Sequence, residues 1–138
     1  MANALVDASY LVALGYPRDR NHQKARQFAA TTQDTLLIPD VVLVEAMYNL
    51  QRLGGVAATL AFSKLLTAQR PQLVALTLAD FARAVMLLDR YQDMELDFVD
   101  GCLTALAERL EIMRICTFDR RDFSIIRPSH ADYFDLVP

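Results

Sequence analysis

Ala4-Leu5-Val6-Asp7-Ala8-Ser9 passes within six residues from an apolar run, through an acid, to the expected start of a helix. Three apolar residues closed by an acid read as a short buried strand, and a helix from about Ser9 follows with no hairpin turn between them. That is how a strand–helix–strand unit begins. The helix is expected to break at Gly15-Tyr16-Pro17 and to resume from about Asn21 to Ala30. Thr35-Leu36-Leu37-Ile38 reads as the second strand, stopped by Pro39. Asp40 could cap a helix running to Leu53, with Gly54-Gly55 as its stop and a further helix over Val56 to Ala68. Leu73 to Leu76 and Ile112 to Thr117 read as the third and fourth strands, and Ser124-Ile125-Ile126 as a fifth. Helices are expected from Leu78 to about Tyr91 and from Asp97 to Glu111. Strands that alternate with helices of about ten residues or more predict a mainly parallel sheet covered on both faces, the α/β class.

Composition agrees with one ordered domain over residues 1–138. Of the 138 residues 54% are apolar and only four are glycine, enough for a single core without staples. A basic leader and a long apolar run are both missing, so neither a signal peptide nor a membrane span is expected and the cytosol is the default compartment. Cys102 and Cys116 sit in apolar contexts and read as reduced core thiols. Zinc is disfavoured, since His22 and His130 stand at no ligand spacing from a cysteine.

The net charge of −3 argues at first against a nucleic-acid partner, but setting aside the four acids singled out below moves it to +1. Arg18, Arg20, His22, Lys24 and Arg26 form one basic stretch, and Arg120, Arg121, Arg127 and His130 another. Either is ordinary solvated surface unless an acidic pocket lies beside it.

Four acids resist a bland explanation. In an open parallel sheet ligands bind beyond the carboxyl ends of the strands, near the switch in strand order. Asp7 closes the first strand and Asp119 follows the fourth by two residues. Glu45 interrupts Val41-Val42-Leu43-Val44, in a helix apolar enough to be expected buried on most sides, and shares a face with Asn49 and Arg52. Asp97 and Asp100 open the helix that follows; Asp97 suits its cap, whereas Asp100 beside Gly101 suits close approach by a metal or phosphate. Close carboxylates repel one another unless a hard cation neutralises them, and Mg2+ or Mn2+ prefers such oxygen ligands. Aspartyl-phosphate chemistry fits less well. Ser9 stands where a second Asp would be wanted, and neither Lys24 nor Lys64 follows a late strand.

Taken in order, Leu5-Val6-Asp7-Ala8-Ser9, Ile38-Pro39 with Val42 to Glu45, Leu96 to Gly101, and Thr117 to Phe123 resemble the motifs of the PIN-domain ribonucleases. Among these the chain is most similar to the VapC-like toxins of type II toxin–antitoxin systems, over essentially its whole length. The resemblance implies a three-layer α/β/α fold and a Mg2+- or Mn2+-dependent endoribonuclease, usually a homodimer, held by a small antitoxin protein. It implies Asp7, Glu45, Asp100 and Asp119 as catalytic acids, with Ser9 and Thr117 as hydrogen-bond partners behind them. Asp7 and Asp100 are expected to bind the metal directly, Glu45 and Asp119 largely through water, and Asp97 to cap its helix. The extra acids Asp97 and Asp122 leave open which carboxylate of each neighbouring pair takes the metal, and whether one ion or two are bound. Arg18, Arg20, Arg120 and Arg121 are the RNA-binding candidates. A non-catalytic PIN-like binding module, or an orphan RNA-processing nuclease without an antitoxin, is the alternative. A homodimer is expected through the Val56–Ala68 helix, by way of Leu60, Phe62, Leu65 and Leu66, or through the helix before it.

Overall fold

The computed structural model describes residues 2–138. Five strands, β1 (Asn3–Val6), β2 (Thr35–Pro39), β3 (Gln72–Val74), β4 (Arg114–Cys116) and β5 (Asp135–Val137), form one sheet. Its order is β3-β2-β1-β4-β5, and every neighbouring pair is parallel. Six helices connect them: α1 (Ala8–Gly15), α2 (His22–Thr31), α3 (Asp40–Ala68), α4 (Leu78–Arg90), α5 (Phe98–Leu110) and the short α6 (Arg121–Ile125). The chain walks from β1 outward to β3, then crosses back to β4 on the other side of β1. Right-handed crossovers therefore send α1–α3 to one face and α4–α6 to the other, and the contacts of α1 with α2 and α3, and of α4 with α5, follow that division. The expected three-layer α/β/α fold is the observed one.

The centre of the sheet is dry. Leu5, Val6, Ile115 and Cys116 are buried between helices that supply Tyr10, Leu103 and Leu106. Both cysteines are buried free thiols, and burial pushes each upward from the ordinary thiol range. Among the described residues no helix is long and apolar enough to cross a membrane.

The structure corrects several expectations. Ser124-Ile125 belongs to helix α6, and the fifth strand is Asp135–Val137, which pairs with β4 through Ile115 and Leu136. Gly54-Gly55 does not separate two helices cleanly. Gly55 takes φ 78° inside an otherwise continuous α3, a kink that a residue with a Cβ would enter only under strain. Asp40 is the first residue of α3, not its cap; its carboxylate accepts from Leu76 N at 3.2 Å and so ties α3 to the segment after β3. The α3 stretch around Glu45 is not buried on most sides, because Val44 is 71% exposed. The face expected to dimerise is split as well: Phe62 is buried beneath Gly15, whereas Leu60 and Leu65 point to solvent.

Candidate active site at the carboxyl edge of the sheet

β1 and β4 are neighbours at the switch in strand order, so their carboxyl ends open a crevice between the two helical layers. Asp7 leaves β1 there and Asp119 follows β4. The second turn of α3 and the first turn of α5 bring Glu45 and Asp100 to the same place. Asp7, Ser9, Glu45, Asp97, Asp100 and Asp119 all line a single cavity of about 650 Å³. The sequence-derived acids are thus brought together from four separate elements.

Asp7 is the most firmly held. Its Oδ2 accepts from Ser9 Oγ at 2.8 Å and from Thr117 Oγ1 at 2.7 Å. Each hydroxyl is oriented in turn by a backbone donor, Phe118 N to Ser9 and Asp119 N to Thr117, both at 3.0 Å. Burial raises the Asp7 carboxyl above its ordinary range, and these hydroxyls work against that rise. The expected supporting roles of Ser9 and Thr117 have a direct geometric counterpart.

Glu45 lies half-buried on α3. Burial, with Asp97, Asp7 and Asp119 adding negative charge around it, pushes it up to about 7. Asp100 is buried in the first turn of α5 and raised well above the carboxylate range. Burial is the main cause, followed by a hydrogen bond shared with the Asp122 carboxyl and by repulsion from Asp7 and Asp97. Asp122, from α6, is itself buried on the cavity wall, whereas Asp119 is exposed at the rim. Asp97 is exposed and caps α5, its Oδ2 accepting from Val99 N at 3.1 Å. Gly101 does not face the cavity. A Cβ there would meet Ala84 and Leu88 of α4 at ordinary contact distances of 3.6–3.8 Å, so its small size serves the α4–α5 packing and not the approach of a ligand.

The donor set is all oxygen and mostly carboxylate, which suits a hard divalent cation. Among the described residues no three of these side chains already converge on one cation position. The electrostatics nonetheless fit such a group: three buried or half-buried acids in one cavity are displaced upward, and none has a basic partner.

The RNA-binding candidates stand apart from the cavity wall. Arg18 and Arg20 are exposed and flank Asp19, which does line it. Arg120 donates to the Pro138 carbonyl, and Arg121 to Met94 O at 2.9 Å. Asp19, Asn21 and Arg52 also line the cavity and were not singled out as site residues in the sequence. For Arg52 the signal was present, since Glu45, Asn49 and Arg52 follow the spacing of one helix face.

Residues 4–127 match the family model described as the PIN domain. The chain is 28% identical over 134 residues to the ribonuclease VapC26 of Mycobacterium tuberculosis, covering 97% of this chain and 99% of the relative. The crystal structure of VapC20 from the same organism, described as a sarcin–ricin loop cleaving toxin, superposes with a TM-score of 0.78 at 25% identity, over 85% of this chain and 90% of the other. The fold is shared by VapBC2 of Rickettsia felis, solved bound to a promoter DNA fragment, with a TM-score of 0.70, 11% identity and full coverage of both chains. A chain of a toxin–antitoxin complex from Klebsiella pneumoniae gives 0.65 and 18% identity, over 96% of this chain and 99% of that one.

Proposed function

The chain belongs to the PIN domain family, and from that premise we propose that it is a metal-dependent endoribonuclease of the VapC-like toxin kind, hydrolysing RNA phosphodiesters in the crevice between β1 and β4. One observation carries this proposal: Asp7, Glu45 and Asp100 are drawn from three elements into one cavity where their charge is left without a basic partner. Natural folds rarely leave buried carboxylates so, unless something positive arrives to neutralise them.

Asp7 and Asp100 would hold Mg2+ or Mn2+ directly, with Glu45 and Asp119 completing the shell through water. When bound, such an ion supplies a polarised water as nucleophile and stabilises charge on the leaving oxygen. The protein's part is positional. Ser9 and Thr117 fix one oxygen of Asp7 and so limit the rotation of its carboxylate. Asp100 is held by the first turn of α5, whose opening Asp97 caps. Asp122 stands on the same wall as Asp100 and helps to keep that carboxyl raised. Glu45 lies half-buried on the crevice wall among these acids, placed to accept a proton there.

The toxin–antitoxin complex among the similar structures supports extending the proposal to an antitoxin partner; a homodimer that acts in the cytoplasm completes the reading. The direct test incubates pure protein with a pool of cellular RNA, with magnesium and with chelator, and maps the cut ends. Discrete magnesium-dependent ends are expected. Cleavage that persists in chelator, or survives both Asp7→Asn and Asp100→Asn, would overturn the proposal.

A further inference from the structure

Among the described residues Arg52 is the only basic side chain on the cavity wall, set among Asp7, Asp19, Glu45, Asp97, Asp100, Asp119 and Asp122. It rides on the same α3 face as Glu45 and Asn49, one turn beyond Asn49. Its guanidinium has no hydrogen-bonding or ion-pair partner among the described residues. Its Cζ lies 5.9 Å from the centroid of the Tyr48 ring instead. Tyr48 is 65% exposed, so its ring gains little from folding where it stands. An arginine left unpaired beside seven acids, and held by an exposed aromatic ring, has an arrangement that core packing does not require.

We propose that Tyr48 and Arg52 form the subsite for the nucleotide next to the cleaved phosphodiester, in a single-stranded segment of RNA. This rests on the nuclease assignment above. An RNA strand entering an acidic crevice needs a cation at the rim for the flanking phosphate, because the carboxylates repel the backbone wherever no metal ion stands. The guanidinium supplies that charge in a planar donor fork. The free face of Tyr48 offers a stacking surface to an unpaired base, and sequence-tolerant recognition of single strands is built from such stacks. The cation–π contact keeps the two side chains in register, so that base and phosphate of one nucleotide are taken together. Arg52 and Tyr48 thus act as positioning residues.

The test has two arms. With single-stranded RNA as substrate, Arg52→Ala and Tyr48→Leu are each expected to raise KM about 10-fold while kcat stays within about twofold. Tyr48→Phe keeps the ring and should behave as the parent does. In the cleavage-deficient Asp100→Asn background, binding of a short fluorescein-labelled oligouridylate is followed by anisotropy against salt. Arg52→Ala should lower the slope of log Kd against log salt by about 0.7, the share of one phosphate contact on a single strand, and Tyr48→Leu should leave the slope unchanged. Unchanged KM and salt slope in Arg52→Ala, or a loss confined to kcat, would overturn the subsite. A parent that binds the oligonucleotide with these dependences but cuts no RNA overturns the nuclease assignment and leaves Tyr48 and Arg52 as a single-strand binding site only. A parent that cuts RNA while both variants match it overturns the subsite alone.

Discussion

The two ends of the parallel sheet treat acidic residues in opposite ways. At the amino end Arg114, the first residue of β4, sits between Asp34 and Asp135 at 2.7 Å from each. On the α4–α5 layer Arg109 holds the buried Asp80, and Arg83 holds Glu108 at 2.7 Å. The Arg114 hydrogen bond keeps Asp34 below the ordinary carboxylate range. Burial alone would raise Asp80 and Glu108, but their arginines and the backbone donors beside them outweigh it and both are lowered. At the carboxyl end seven acids line one crevice with a single arginine on its wall. Among the described residues Asp122 alone of these has an ion-pair partner, Arg121 at 3.5 Å, and Asp7, Glu45 and Asp100 are displaced upward. Paired acids stabilise the fold; unpaired ones cost stability that must be recovered by a bound cation.

The contrast can be broken most decisively at the crevice. Asp7→Asn or Asp100→Asn keeps shape and removes charge, and each is expected to cut RNA cleavage at least about 100-fold with the far-UV spectrum unchanged. Loss of the Asp7 supports in Ser9→Ala or Thr117→Val should lower activity by about 10- to 100-fold, read as a fall in metal affinity by titration of activity against magnesium.

A paired acid should respond in the other currency. Arg109→Ala strips Asp80 of its ionic partner and leaves a buried carboxylate with only the Thr77 backbone N–H as donor. Arg109 is 38% exposed and solvent screens part of the loss, so urea denaturation should show a cost of about 1–3 kcal/mol with no direct loss of cleavage.

The two ends should also give opposite pH slopes in chelator. Glu45 is raised when folded, from 4.5 to about 7, so its contribution is fully present below pH 4.5 and is lost as pH rises to about 7. Asp34 is lowered, so its contribution is present above the unfolded value of 3.8 and is lost as pH falls through the folded one. Metal-free protein should therefore melt highest between about pH 4 and 5. Glu45→Gln should flatten the decline above that, an effect of about 1 kcal/mol after solvent screening. A melting temperature that rises steadily from pH 5 to 7 in chelator would contradict this account.

The smallest effects belong to residues that sit beside the crevice for structural reasons. Asp97→Asn should leave cleavage and stability nearly untouched, since Asn caps as well as Asp. Should it abolish activity while Asp100→Asn retains it, the two roles are exchanged. Gly101→Ala adds a Cβ at ordinary contact distance from α4 and gains helix propensity, so it should be neutral or stabilising by up to about 1 kcal/mol.

Most of this architecture was legible in the chain because apolar runs that end at an acid or a proline mark buried parallel strands plainly. Asp7 and Asp119 could be placed from strand ends alone. What escaped was set by tertiary partners. Ser124-Ile125-Ile126 is too short to show a period, and Ile125 turns out 48% exposed on a helix. Asp135–Val137 carries no strand signal of its own and becomes a strand by pairing with β4. Gly101 was given to a ligand because sequence shows a small residue beside an acid, not the neighbouring helix that requires it. The apolar surround of Glu45 implied deep burial, yet Val44 faces solvent; hydropathy says what a helix contains, not how much of it is covered.

The hydroxyl of Thr117 reaches back across 110 residues to Asp7, so the first acid is fixed only after the fourth strand has been laid beside the first. On the ribosome, a nascent chain that has already exposed Asp7, Glu45 and Asp100 still lacks β4, and with it the central pairing of the sheet and the clamp on that carboxylate. Contacts so distant along the chain form late in folding. An enzyme that cuts RNA would be synthesised next to a great deal of it, and this connectivity delays a competent crevice until nearly the whole domain has emerged.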